Sequence, residues 1–303
     1  MLQQLEAVIS KYTGLLLIVA CIVGLVFPQL AIFKGAIYYI LLLLLFCSFL
    51  KIEFRLKHLL HPKLLYFPLI NWLLLPLLIY FTTKGLTNDY RIGLLFAIIT
   101  PPALGSPVIV SITKGDLDFI MSNVLIFSLL SPLAYYLIPV LLFKQENIHI
   151  PVQPIMIRVL IVILIPLILA LLVRMHKRTK EWIITHIDSR KNILQIFMVA
   201  VAVSSASLKI RQTPISEIGI LFLITFLISL FSYSFGYFVS RKDTIMQRTL
   251  PVAIGQKNTL LSLMICISLF SPMAAIPTVF YLISHHIMNG VLIQISARKL
   301  KSK

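Results

Sequence analysis

The chain has 303 residues, of which 59% are hydrophobic and 12% charged, with a mean hydropathy of +0.98 and a net charge of +17 at neutral pH. That composition excludes a soluble domain, and repeated windows of about 20 apolar residues are transmembrane-helix candidates. The basic excess falls between the apolar runs rather than in one block, which argues against a nucleic-acid partner.

The expected fold is all-α and integral to the membrane, with ten transmembrane helices at approximately 12–31, 33–50, 64–82, 90–113, 117–143, 153–174, 191–208, 215–239, 245–270 and 273–297. The N-terminal segment is polar, carries Glu6, and leads into an apolar run too long for a cleaved leader, so the first helix is expected to stay.

The fourth span is interrupted at Thr100-Pro-Pro-Ala-Leu-Gly-Ser-Pro-Val-Ile-Val-Ser-Ile-Thr-Lys-Gly-Asp116. Pro101, Pro102 and Gly105 end one half-helix. Ser106 reads as the N-cap of the next, with Pro107 at its first position, and Gly115 as a left-handed stop after Lys114.

The stretch from Arg174 to Lys191, with Trp182 and alternating Ile, reads as an amphipathic segment on the membrane surface. It divides the chain into two sets of five spans, 1–150 and 151–303. Five is odd, so the second set enters from the opposite side, which is the arithmetic of an inverted repeat.

The ninth span, the fourth of the second set, is interrupted at Leu250-Pro-Val-Ala-Ile-Gly-Gln-Lys-Asn-Thr259. Gly255 is expected to end one half-helix, and Asn258 or Thr259 to cap the next. Lys257 follows Arg248 by nine positions, and no further Asp, Glu, Lys or Arg occurs until Arg298. An ionisable group at that depth is costly and marks a cavity or a partner.

Of the 27 Lys and Arg residues, nineteen fall in the termini and loops of one side, seven on the other, and Lys257 is the remaining one. The positive-inside rule then places both termini in the cytoplasm, in a cell inner membrane, with the basic loops against anionic lipid. Cys21, Cys47 and Cys266 all lie in apolar spans, with neither a disulfide framework nor a metal spacing.

Two half-helix N-termini meeting beside Lys257 concentrate positive potential, which suits a carboxylate or another anion. His285 and His286, near Asn289, are polar contacts or pathway residues of the tenth span. There is no nucleophile–base pair, nucleotide loop or metal spacing, so an enzyme is not expected. No obligate protein partner and no resident cofactor are implied.

At its two breaks the chain resembles the bile acid:sodium symporter family. Pro101-Pro-Ala-Leu-Gly-Ser-Pro-Val108, with Lys114-Gly-Asp116, stands in register with that family's Pro-Gly-Gly-Thr-Ala-Ser-Asn-Val and its basic-Gly-Asp/Asn ending. Ala253-Ile-Gly-Gln-Lys-Asn-Thr-Leu260 stands over Glu-Val-Gly-Met-Gln-Asn-Ser-Gly. Phe270-Ser-Pro-Met-Ala-Ala-Ile276 and Ser284-His285 are similar to its tenth-span region.

The resemblance implies a core domain with two crossing broken helices, a panel domain, and uptake of organic anions coupled to sodium. It implies substrate contacts at Leu104, Gly105, Ser106, Pro107, Asn258, Thr259 and His285, and ion coupling at Asn71, Ser106, Ala253, Gln256 and Lys257. The departures lie on the sodium ligands: Ala253 stands for a Glu, Lys257 for a Gln, Pro107 for an Asn and Asn71 for a Gln. Ile120 and Val124 stand for hydroxyl residues. The expectation is a transporter of small organic anions, bile-acid-like or other carboxylates, in which the Lys257 ammonium takes the place of the cation. The alternatives are a Lys-dependent proton-coupled exporter and a non-transporting sensor on the same fold.

Overall fold

The computed structural model describes residues 13–51, 61–143, 150–187 and 191–301. Glu6 and the cations Lys11, Arg55, Lys57, Lys144, Arg190 and Lys303 lie outside them. The described residues are mostly helical, with one isolated antiparallel bridge and no strand.

Helix α1 spans Thr13–Val26. A 3-10 segment, Pro28–Gly35, runs into α2, Ala36–Lys51, so the second apolar element begins earlier than the apolar window implies. Its entry is set by Pro28, whose fixed φ suits the first helical position. Element α3 covers Pro62–Thr82 and contains a π turn at Leu69–Leu74. The fourth apolar window is two helices, α4 (Asn88–Ile99) and α5 (Ser106–Ile112). Helices α6 (Leu117–Phe143) and α7 (Val152–Arg174) follow.

The polar stretch forms α8, Lys177–His186, with Trp182 exposed and Ile183 buried. Then come α9 (Lys191–Gln212) and α10 (Ile215–Val239). The ninth window again divides, into α11 (Met246–Gly255) and α12 (Thr259–Leu269). Helix α13 is Ile276–Lys301. Among the described residues, seven helical stretches are long and apolar enough to cross a membrane, and α1 and α12 are apolar but shorter.

Helix α1 packs along α9, and α2 along α7; α10 packs on α11 and α13. Three of these contacts depend on a missing Cβ. Gly24 of α1 faces the Ala200 carbonyl of α9, Gly93 of α4 faces the Ala274 carbonyl, and Gly236 of α10 lies against the Leu250–Pro251 backbone of α11. Apolar surface gives no net drive between helices in lipid, so such close backbone approach is what holds them.

The start of α11 is fixed by Asp243. Its Oδ1 accepts the Met246 N–H at 3.0 Å, and its Oδ2 accepts from Lys63 Nζ at 2.9 Å, tying α11 to the start of α3. Partial burial opposes ionisation of this carboxyl, but the Met246 amide and the Lys63 ammonium hold it below its ordinary value of 3.8.

Two expectations follow from this packing. Gly236→Ala and Gly93→Ala each lower the thermal midpoint of the purified protein, by an overpacking cost of about 1–3 kcal/mol. Gly290→Ala, whose Cβ would enter open space, leaves the midpoint unchanged or raised. Because the folded pKa of Asp243 is depressed, its contribution is present above 3.8 and is lost as the pH falls through the folded value. Thermal midpoints of the parent and Asp243→Asn should therefore differ at neutral pH and converge under acid conditions.

Candidate functional site

The two interrupted helices cross at their breaks. Thr100 (ψ 144°) and Gln256 (ψ 115°) turn the chain out of helix into extended backbone. The segments then run antiparallel around a Pro102–Lys257 bridge. Ala103 N–H donates to the Gln256 carbonyl at 3.1 Å, and Asn258 N–H to the Pro101 carbonyl at 2.8 Å. Thr100 Oγ1 donates to the Asn258 carbonyl at 3.0 Å. Proline cannot donate to a ladder, so this pairing is carried by the residues on either side of Pro102.

Breaking a helix strands its last carbonyls. Trp72 Nε1 donates to the Ile99 carbonyl, at the end of α4, at 2.9 Å. At the end of α11, Asn71 Nδ2 donates to the Ile254 carbonyl at 3.2 Å and the Tyr281 hydroxyl to the Gly255 carbonyl at 2.8 Å. Adjacent residues of α3 thus serve both breaks. The π turn that holds them follows from Pro76, which has no N–H to donate, and it closes with Leu75 N–H on the Ile70 carbonyl.

Asn258 caps α12, as its sequence position implies, accepting the Leu261 N–H through its side chain at 3.4 Å. The first break departs from expectation in two ways. The N-cap of α5 is Gly105, in right-handed conformation (φ −84°, ψ −7°) with no side-chain cap; Ser106 is the first helical residue and Pro107 the second. The left-handed residue after α5 is Lys114 (φ 55°), not Gly115. Gly115 is needed for space: its bare Cα faces the Thr249 hydroxyl, which accepts the Asp116 N–H at 2.7 Å.

Lys257 is 1% exposed. Its Nζ lies 4.1 Å from the centroid of the Phe67 ring and has no hydrogen-bond partner among the described residues. Phe67 is itself stacked on Phe127 at 4.5 Å and meets the Trp72 ring edge-on at 5.6 Å. A cation over an aromatic face in a dry site gains about 2 kcal/mol.

Asn71 shares this neighbourhood, since its Nδ2 also donates to the Phe67 carbonyl at 3.0 Å while its Oδ1 is unpaired among the described residues. Ser106 and Ala253 are buried on the two broken helices, the former with an unpaired hydroxyl. Ile120 and Val124 are buried and apolar. Sodium needs several hard oxygen ligands. The side chains at 107, 120, 124 and 253 offer none, so these residues do not fit that ion.

A cavity of about 230 Å³ lies against the crossing. One wall is the crossing itself, with Leu104, Gly105, Gln256, Lys257, Asn258 and Thr259. The facing wall is α2, with Leu41, Leu44 and Ser48, and the start of α9, with Asn192 and Gln195. Helix α13 supplies Leu282, His285 and His286, whose imidazoles stack at 4.6 Å.

Of the predicted residues, Leu104, Gly105, Asn258, Thr259, His285, Gln256 and Lys257 line this cavity, whereas Ser106, Pro107, Asn71 and Ala253 do not. Phe67 is not a lining residue either; Lys257 is one, and its Nζ lies over the Phe67 ring. Sequence reasoning missed Ser48, Asn192, Gln195 and Phe67. The available signal was the i, i+3 spacing of Asn192 and Gln195, which puts both on one face of α9.

Residues 36–241 match the sodium bile acid symporter family, and the chain belongs to that family. The match includes the first break and ends before the second. The chain is also similar to a protein of Bacillus subtilis (strain 168) named "Uncharacterized sodium-dependent transporter YocS", with 23% identity over 240 residues, 77% of this chain and 73% of that one. The protein is therefore a multi-pass membrane protein of a transporter family.

Replacing Tyr281 by Phe keeps the ring, and replacing Trp72 by Phe keeps a smaller aromatic ring without the indole N–H; each strands one carbonyl at a helix break. Each change should lower the thermal midpoint, by about 1–3 kcal/mol per unsatisfied group, as read by detergent-solubilised melting.

Proposed function

We propose that this protein is a secondary transporter of small organic anions whose cycle does not use sodium, with Lys257 supplying the fixed positive charge. The observation that carries the reading is the burial of Lys257 Nζ against Phe67, with no carboxylate paired to it among the described residues. The family resemblance puts a sodium ligand at this position.

The anion itself fits the cavity face of the crossing. Asn258 O accepts the Leu261 and Ser262 amides, which leaves those of Thr259 and Leu260, the first of α12, at the cavity wall. A helix N-terminus of this kind favours a carboxylate. The charge of Lys257, at the same crossing, adds to that potential where little water screens it.

The helix contacts support two inverted repeats, 1–150 and 151–303. Exchanging the halves maps α1 onto α7, α2 onto α9, α4 onto α11, and α6 onto α13. The packing of α1 on α9 then has its counterpart in α7 on α2, and that of α4 on α13 in α11 on α6. Such repeats support alternating access around a fixed site. The orientation that goes with this reading places both termini in the cytoplasm, in a cell inner membrane.

A proton-coupled form of the reading rests on the same Nζ: without an acceptor among the described residues, its proton is held by no counter-ion. The relative's printed name attributes sodium dependence to that relative; in this chain Ala253, Pro107, Ile120 and Val124 argue the other way.

The test is uptake of labelled short carboxylates into proteoliposomes. Uptake should be unchanged when sodium is replaced by choline, and strong sodium dependence overturns the reading. The pair Lys257→Gln with Ala253→Glu should gain stimulation by sodium. Acceleration by an imposed pH gradient assigns a coupling proton to the cycle, and binding without counterflow assigns the fold a sensing role.

A further inference from the structure

We infer that Asn192 and Gln195 of α9 form a second polar pole of the cavity, which recognises a hydroxyl or carbonyl at the far end of a short carboxylate. The inference rests on the anion reading above and deepens it.

Cavity size sets the first limit. At about 230 Å³ the cavity lies below the roughly 300–1,000 Å³ usual for a drug-sized ligand, which favours a short-chain acid as the occupant in this conformation.

Polarity sets the second. At the crossing, the cavity offers the Thr259 and Leu260 amides for a carboxylate. Gln256 Oε1 and His285 Nδ1 belong to the same wall, both buried and both without a hydrogen-bond partner among the described residues. The middle is apolar, with Leu41, Leu44, Leu104 and Leu282. Asn192 and Gln195 then return to polar chemistry on the facing wall.

They lie within the first two turns of α9, beside Ser48 in the last turn of α2, so they sit at one end of the bundle. Both are half-buried, and neither amide makes a hydrogen bond among the described residues. Ser48 Oγ, by contrast, is already engaged on the Leu44 carbonyl at 2.8 Å. Two unengaged amides on one helical face, each able to donate and to accept, are suited to a neutral hydroxyl or carbonyl. A simple monocarboxylate of the same length would leave them unsatisfied, which is how a polar site discriminates.

Butyrate and 4-hydroxybutyrate isolate this pole, because they differ only in the terminal hydroxyl. Dissociation constants would be measured by calorimetry on the purified full chain. The parent should bind 4-hydroxybutyrate about tenfold more tightly, the worth of one hydrogen bond. Asn192→Leu with Gln195→Leu should abolish that preference and leave butyrate affinity within about twofold.

Single Ala variants at each position, with thermal midpoints, show whether a loss is local. No preference in the parent, or a preference that survives the double variant, overturns the inference while leaving the anion site standing. Failure of the parent to bind either acid overturns the anion reading and this inference with it.

Discussion

The antiparallel pairing of the two helix breaks is the constraint on which the rest of the site depends. A helix interrupted inside an apolar bundle exposes backbone groups that no water satisfies, at several kcal/mol each. Here each break is the partner of the other: Ala103 with Gln256, Pro101 with Asn258, and Thr100 closing the end. What the pairing cannot reach, the neighbouring helices supply. Trp72 and Asn71 come from the π turn of α3, and Tyr281 from α13. The crossing is therefore locked into a rigid framework, and the residues that flank it acquire fixed directions.

Lys257 takes its meaning from that framework. Its backbone belongs to the pairing, its residue borders the cavity, and its buried Nζ lies over Phe67. In the transport reading proposed above, a charge held there attracts an anion without belonging to the groups that fit its shape. An arrangement of this kind separates the attraction of an anion from the chemistry that recognises its shape. In that reading, recognition falls to neutral groups: the α12 backbone amides, Gln256, His285 and the side-chain amides of α9.

Much of the fold was legible in the sequence, because it follows from apolar windows and from proline and glycine. Thr100–Gly105 and Gly255–Asn258 stand out as breaks on composition alone, and Asn258 caps α12 as its position implies. The details that depend on distant partners were not legible. Lys114 rather than Gly115 takes the left-handed turn because Thr249, more than a hundred residues away, fills the space beside Gly115. Ser106 fails to cap α5 because Gly105 is already helical. Asn71 carries a capping duty for a carbonyl 183 positions further on, which no local pattern encodes. Asn192 and Gln195 look like ordinary polar residues at a helix start until α2 and the crossing are placed around them.

A tethered cation also changes how such a carrier would be coupled. In a symporter the site changes charge when its ion arrives, and the transition between states can be made to depend on that arrival. A ligand drives a conformational equilibrium only through its differential affinity for the two states. Where Lys257 keeps its proton throughout the cycle, as the sodium-independent reading requires, the electrostatics of the site are the same in the loaded and empty carrier, apart from the substrate itself. Discrimination between states must then come from the substrate's contacts across the cavity, between the crossing on one wall and α2 with α9 on the other. A site built this way responds to what bridges it, so the residues facing the crossing matter as much for movement as for selectivity.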